Sequence, residues 1–172
     1  MKILSKQRNS RMCMICGLDN AYGVNAPFYN MEDGSVMTVF RYKEQHQSYP
    51  GRVHGGMITA MLDEMGLRSL WAKELSEETF GVTISLDTKY RKPVPYETEL
   101  IGRGVVVKNT SHFIITDSYF MDKDGEILAN GRIKYIKMDT QKIQEGVEVH
   151  EEMPYLVEDG RTEIEGPFFD NL

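Results

Sequence analysis

The stretch GRVHGGMITAMLDEMG, residues 51–66, places a histidine and two glycines directly before a helical pattern that contains two carboxylates. The first amide groups of a helix have no partner within the helix and lie at the positive end of its dipole. The amide of Gly55 or Gly56 could therefore stabilise an oxyanion that forms when a carbonyl carbon is attacked, at roughly 3 kcal/mol per donor. Taken alone, His54-Gly55-Gly56 is more typical of a tight turn with a hydrogen-bonded histidine.

Asp63 is the carboxylate whose position in the predicted helix needs an explanation. At about 100° per residue, one apolar stripe holds Met57, Ile58, Met61, Leu62, Met65 and Ala72. Asp63 points away from this stripe, but its neighbours on that side are also apolar, namely Ala60, Leu67, Leu70 and Trp71. A helix that is apolar nearly all round is covered on both sides, which predicts a homodimer with Asp63 near the interface. The alternative is a surface Asp63, with Leu67, Leu70 and Trp71 forming an exposed patch or contacting the tail.

Each of the two acids has its own predicted role. In partly desolvated surroundings the pKa of Asp63 would be raised, as it is in general bases. Glu64 stands one turn before Arg68, a spacing that favours an (i, i+4) ion pair. Gly55 lies roughly 12 Å from Asp63 along the helix, too far for both to serve one reacting atom. Two antiparallel helices related by a two-fold axis would bring Asp63 of one chain beside Gly55 of the other.

The sequence predicts strands before and after this helix. Residues 82–89 alternate between apolar and polar side chains, as half-buried strands do. Three further strand-like runs follow at 97–108, 111–121 and 126–137. Short links at 108–110 and 122–125 contain turn residues, so we expect a four-stranded antiparallel meander. Upstream, Asp33-Gly34 separates 26–29 from 36–40, a further possible hairpin. The order predicts an α+β domain, with an antiparallel sheet of about six strands across one helix.

Composition and charge limit the number of domains and the class of binding partner. The 172 residues, 41% hydrophobic, fit one domain, which we place at 1–138, with an acidic extension at 139–172. The extension holds ten acidic and two basic side chains, a charge of −8, so the remaining chain carries +2. That balance is too weak to argue for nucleic acid. We expect a solvated or loosely packed tail, mostly coil with one short helix.

The chain shows no membrane or secretion signal. No apolar stretch approaches the ~20 residues of a membrane span, and the first ten residues lack the apolar block of a secretory signal. Cys13 and Cys16 exclude a disulfide framework, so we expect a cytoplasmic protein. These two cysteines are too few for a zinc site by themselves, and recruiting His46 and His54 would remove the latter from catalysis. We therefore expect no metal.

Two motifs of this chain are similar to those of a known family. One motif is V-H-G-G, followed by a carboxylate nine residues after the histidine. The other is G-V-T at 81–83, which opens a strand that ends in Y-R-K-P at 90–93. Both resemble motifs of the PaaI-like branch of the hotdog-fold acyl-CoA thioesterases. The pattern C-x-x-C-G-x-x-N at 13–20 resembles the opening of some members. The resemblance covers roughly residues 13–138. It implies a sheet wrapped around one long central helix, and dimers or dimers of dimers that pair through sheet and helix.

The resemblance also implies roles for individual residues. Asp63 would be the catalytic carboxylate, acting as general base on water or as nucleophile on the thioester. Gly55, next to Gly56, would supply the oxyanion amide from the partner subunit, while His54 orients the thioester. Thr83 would position the water. No cofactor is implied beyond the CoA of the substrate.

One position departs from the family pattern. Six residues before His54 the family often has Asn or Gln in contact with the thioester region, and here that residue is Ser48. Gln47 could substitute if the turn at 49–51 is rearranged. The departure puts the polar support of the carbonyl in question, but not the fold.

CoA binding would need cations for its phosphates. Arg91, Lys92 and Lys108 are the candidates, although exposed Lys and Arg are ordinary surface residues. The sequence leaves the acyl group open. It also leaves two functions beside thioester hydrolysis: a non-catalytic acyl-CoA binding or sensing module, and an enoyl-CoA hydratase on the same scaffold.

Overall fold

A seven-stranded antiparallel sheet forms the main body of the protein. The computed structural model describes residues 1–74, 79–138 and 149–169. The strands are β1 (Ile3–Lys6), β2 (Tyr29–Met31), β3 (Val36–Phe40), β4 (Phe80–Tyr90), β5 (Leu100–Asn109), β6 (Phe113–Met121) and β7 (Ile127–Met138). They lie in the order β1-β2-β3-β5-β6-β7-β4. The predicted α+β class is confirmed, with seven strands rather than about six.

One long helix, α1 (Gly55–Glu74), packs across this sheet. The predicted apolar stripe faces the core, where Met61, Leu62 and Met65 have no exposed surface. The opposite side of the helix is also largely covered, because Leu70 and Trp71 are buried against strands and the tail. The second cover that was expected from another subunit comes here from this chain, and Trp71 contacts Met153 of the tail, as the alternative expected.

The predicted four-stranded meander is wrong in one respect. Strands β5, β6 and β7 form a meander, but β4 pairs with β7 at the far edge of the sheet and not with β5. Pro93 and Pro95 follow β4, and proline has no N–H with which to continue a strand ladder. The link at 91–99 instead carries the chain to the other side, where β5 pairs with β3.

The acidic tail contacts the main body through a few buried side chains. It contains the expected short helix, α2 (Val149–Glu152), and then runs over the sheet face opposite α1. Ile164 is buried there against Tyr29, Met31 and Met37. The last strand ends at Met138. Most described tail residues are exposed, and Met153 and Ile164 are the two that are buried. Neither described helix is long and apolar enough to cross a bilayer.

Candidate active site

His54 caps the start of α1. The Gly56 amide donates to Nδ1 of His54 over 2.9 Å, while the main-chain amides of Met57 and Ile58 donate to the His54 carbonyl. In a neutral imidazole whose Nδ1 accepts, the proton lies on Nε2. The exposed His54 ring therefore presents Nε2–H as a donor to solvent or to a ligand.

This cap decides which helix amide remains open. Gly56 was one of the two predicted oxyanion donors, but its N–H is taken by His54. The N–H of Gly55 donates to no group in the part of the chain that the structure describes. Gly55 N–H and His54 Nε2–H are thus the two donors left at this helix start, where the dipole is positive.

Tyr90 lies beside this helix start. The sequence analysis did not assign this residue to the site. Its hydroxyl lies 2.7 Å from Oγ1 of Thr59 and donates to the carbonyl of Gly55 over 3.3 Å. Tyr90 ends β4, so these bonds tie the end of the strand to the first turn of α1. The Y-R-K-P motif was the available signal, since it places an aromatic residue beside two cations.

Asp63 lies in the middle of α1 and is hydrogen-bonded across to β4. Oγ1 of Thr83 lies 2.8 Å from Oδ1 and 3.1 Å from Oδ2 of Asp63. The pKa of Asp63 is raised because burial disfavours the charged carboxylate, and this effect outweighs the hydrogen bonds from Thr83 and Tyr135 that lower it. The pKa of Asp63 is therefore shifted in the direction that the sequence analysis expected, and the shift arises within a single chain.

Tyr135 fixes the main chain at Asp63, and the sequence analysis missed it. Its hydroxyl donates to the carbonyl of Asp63 over 2.6 Å, and it pairs with Thr83 across β7 and β4. A Cβ at Gly66 would stand 2.2 Å from this hydroxyl, so only glycine lets Tyr135 reach under the helix. A β-bulge at Ile84 follows Thr83 and sets the direction of its side chain.

The two halves of the predicted site do not meet within one chain. Gly55 and Asp63 are on the same straight helix, eight residues and therefore roughly 12 Å apart. Thr83 donates a hydrogen bond to Asp63, whereas His54 directly precedes Gly55 at the helix start. The chain thus presents two half-sites along α1, one with a carboxylate and one with donors.

Gln47 and Ser48 lie close in sequence and space to the donor half-site. Gln47 forms an antiparallel bridge with Val53, and the Ser48 amide donates to the Arg52 carbonyl. Gly51, with a φ of 79°, closes the turn between them. Both side chains are exposed beside the chain segment that leads to His54, so either can reach a ligand there.

Two of the three predicted cations lie together. Arg91 and Lys92 line a groove of about 340 Å³ that also borders Gly55 and Tyr90. Arg91 Nε donates to Oδ1 of Asn130, and Lys92 forms an exposed ion pair with Glu126 at 3.0 Å. Exposed ion pairs contribute little, about 0–1 kcal/mol, so this lysine can exchange its partner for a phosphate.

Lys108 does not join them in one chain. Its neighbour Asn109 donates to Glu74, the last residue of α1, whereas Tyr90 contacts Gly55, the first. A helix of 20 residues separates these positions by roughly 28 Å. The predicted set of three phosphate-binding cations is therefore split by the structure.

Strand β4 carries one unpaired edge. Within the described residues it pairs only with β7, although it is eleven residues long. Val82 and Ile84 are 40% and 53% exposed. A long apolar edge strand is a template for pairing with another strand, and this edge lies beside Thr83.

The chain is similar to known proteins over a region that holds His54, Gly55, Asp63 and Thr83. Residues 50–129 match the family model described as "Thioesterase superfamily". A Saccharolobus solfataricus protein assigned as an esterase is 29% identical over 98 residues, which make up 57% of this chain and 68% of that protein. Acyl-coenzyme A thioesterase 13 of Homo sapiens is 23% identical over 100 residues, 58% of this chain and 70% of its own.

A solved structure shares the fold. The crystal structure of a thioesterase superfamily protein matches with a TM-score of 0.65 and 26% identity, over 73% of this chain. The match spans 63% of the length of that protein.

Proposed function

Because residues 50–129 match the model of the thioesterase superfamily, we propose that this chain hydrolyses acyl-CoA thioesters. Water adds to the thioester carbonyl carbon, the C–S bond breaks, and the products are a free acid and CoA with its thiol protonated. The observation that carries this proposal is the Thr83 hydrogen bond to Asp63, a half-buried carboxylate with a raised pKa.

Asp63 serves as the general base in this mechanism. A base with a pKa raised towards the working pH accepts a proton from water more readily than an ordinary aspartate. Thr83 holds the carboxylate in one orientation and leaves the remaining lone pairs for the water. Direct attack by the carboxylate on the thioester is the alternative chemistry, and it would give an acyl-enzyme anhydride.

The donor half-site stabilises the oxyanion. Gly55 N–H, open at the positive end of α1, is placed to receive the developing charge on the carbonyl oxygen. His54 Nε2–H is the second donor, because its Nδ1 is held by the Gly56 amide. Gln47 or Ser48 adds polar support on the same side.

A two-fold pair of chains completes the site. If the exposed edges of β4 pair antiparallel in two copies, the two helices also run antiparallel, and each Asp63 faces a Gly55 of the other copy. The burial of Val82 and Ile84 would favour this pairing. Pairing of such dimers into a tetramer is compatible with the same site.

Arg91 and Lys92 are the proposed phosphate contacts for CoA. They line the groove that borders Gly55, so a thioester at Gly55 would place its CoA over these cations. Lys108 could contribute only from a second copy. We place the activity in the cytoplasm, where Cys13 and Cys16 would remain free thiols, as they are in this structure.

A thiol-release screen tests the proposal. Wild type and Asp63→Asn are incubated with short, long and aromatic acyl-CoAs, and released CoA is measured. We expect turnover of at least one class, and a loss of roughly 100- to 10,000-fold in Asp63→Asn. CoA binding without thiol release from any substrate would instead indicate the non-catalytic module. Loss of the enoyl absorbance of an enoyl-CoA would indicate the hydratase.

A further inference from the structure

Cys13, Cys16 and Glu64 form a cluster that the proposed hydrolysis does not use. One sulfur or carboxylate oxygen from each residue lies within 4.8 Å of the other two. Cys13 Sγ and Glu64 Oε2 are 4.0 Å apart. Among the described residues this is the one group of three potential metal ligands. It contains neither His46 nor His54, the histidines considered in the sequence analysis.

The backbone around Cys13 is arranged to hold a sulfur ligand. The amides of Ile15 and Cys16 both point at Cys13 Sγ, at 3.3 Å and 3.5 Å. N–H hydrogen bonds to a sulfur favour its thiolate, the form that binds metals. In the metal-free chain the pKa of Cys13 is nevertheless raised, by its hydrogen bond with Cys16, by burial and by Glu64, while the hydrogen bond from Cys13 lowers the pKa of Cys16 to about 7. A Cβ at Gly17 would lie 2.5 Å from the Cys13 carbonyl oxygen, so glycine is required for the chain to turn back over Cys13.

Glu64 is oriented as a ligand by a buried arginine. Its Oε1 accepts a hydrogen bond from Nε of Arg68 over 2.7 Å, which leaves Oε2 facing Cys13. Arg68 is 1% exposed and its guanidinium lies over the ring of Phe28. A ligand carboxylate held by a partner on its second oxygen is the usual arrangement around protein metal sites.

From this geometry we propose that Cys13, Cys16 and Glu64 bind one Zn²⁺ ion. Two thiolates and a carboxylate are a donor set that suits zinc, with a fourth tetrahedral position open to water. At a Zn–S length of about 2.3 Å, the sulfurs need to stand about 3.8 Å apart. The ligand atoms already lie within 4.8 Å of one another, so the sulfurs need to approach by at most about 1 Å.

Charge balance permits the ion at this partly buried site. Zn²⁺ replaces the protons of two thiols, which are released to solvent, so the net charge of the cluster does not change. Glu64 and Arg68 neutralise each other in both states. Cys13 is partly exposed, which provides an entry path. Bound zinc would join the N-terminal segment to α1 at the residue next to Asp63.

Zinc titration of the reduced, chelator-treated full chain tests the site. We expect one Zn²⁺ per chain, a Tm higher by roughly 5–10 °C at a 100-fold excess over Kd, and at least roughly 100-fold weaker binding in Cys13→Ser and Cys16→Ser. Met14→Leu, within the same turn, is the matched control and should bind as wild type does. Asp63→Asn should also bind Zn²⁺ normally, which separates this site from the proposed hydrolysis.

Co²⁺ in place of Zn²⁺ gives a readout that does not depend on the variants folding. We expect thiolate-to-cobalt charge-transfer absorption in the wild-type chain and tetrahedral ligand-field bands. Stoichiometric binding without that absorption, equal affinity in the folded serine variants, or no binding at all would overturn the proposal. A chain that is two hydrogens lighter by mass and takes up no metal would assign the pair to disulfide chemistry instead.

Discussion

The hydroxyl of Thr83 bridges both oxygens of Asp63, at 2.8 Å and 3.1 Å, and so connects the middle of α1 to strand β4. The bond opposes the effect of burial on the carboxylate, because it favours the charged form. Thr83 therefore acts on the reaction through Asp63, as a positioning residue.

Thr83→Val should move the acid limb of the pH profile. Valine keeps the shape but removes the donor, so the pKa of Asp63 should rise further, and kcat/KM should begin to fall at a higher pH as the solution is acidified. Thr83→Ser keeps a hydroxyl and should restore the wild-type limb. Identical limbs in all three proteins would show that the hydrogen bond does not influence the base.

Asp63→Asn should stabilise the folded protein at neutral pH while it abolishes activity. The folded-state pKa of Asp63 is raised, so the ionised carboxylate costs stability above that pKa, and the cost disappears as the pH falls below the ordinary range of aspartate. The Tm advantage of Asp63→Asn over wild type should therefore shrink on acidification. Asp87→Asn, at an exposed aspartate of β4, is the control, and an equal Tm gain there would contradict the assignment.

Gly55→Pro should remove the oxyanion donor while leaving the helix start intact. Gly55 is the first residue of α1 after the His54 cap, a position where proline is favoured. Loss of one such N–H costs roughly 100- to 1,000-fold in kcat. Gly55→Ala retains the N–H, and its Cβ would meet the Tyr90 ring at an ordinary 3.5 Å. If the alanine variant loses as much as the proline variant, the amide is not the donor.

Charges on the exposed edge of β4 should prevent pairing. The double variant Val82→Lys and Ile84→Lys places two cations on the strand that we propose to meet its own copy. We expect monomers by sedimentation and loss of activity, because neither half-site is then complete. Leu4→Lys introduces one lysine on β1, the opposite edge strand, at a residue that is 52% exposed. It should leave both properties unchanged.

The local elements could be predicted from sequence, whereas long-range pairings could not. Periodicity placed α1 and the stretches that became β4 to β7 within a few residues, and helical spacing predicted the bond between Glu64 and Arg68, which is present. The position of β4 beside β7 depends on the path of the 91–99 link, which periodicity does not report. Ile3–Lys6 was missed because half of this short strand is exposed and shows no clear alternation.

In the candidate site, too, local features could be predicted from the sequence and long-range contacts could not. Thr83 near Asp63 followed from the motif, but the roles of Tyr135 and Tyr90 depend on cross-strand register and on the close approach at Gly66. Glu64 beside Cys13 is a contact between residues 51 positions apart, and no spacing rule predicts it. The expectation that no metal binds weighed the two cysteines with His46 and His54, and Glu64 was not among the ligands considered.

The central claim is that Asp63 of one chain works with Gly55 of another, and complementation between two inactive variants tests it directly. Asp63→Asn and Gly55→Pro are co-expressed or refolded together, and acyl-CoA hydrolysis is measured. A mixed dimer contains one site with both Asp63 and Gly55 intact, so an equal mixture should recover about a quarter of wild-type activity. If mixed dimers form, as tagged co-purification would show, and activity stays at the level of the separate variants, the shared site is contradicted.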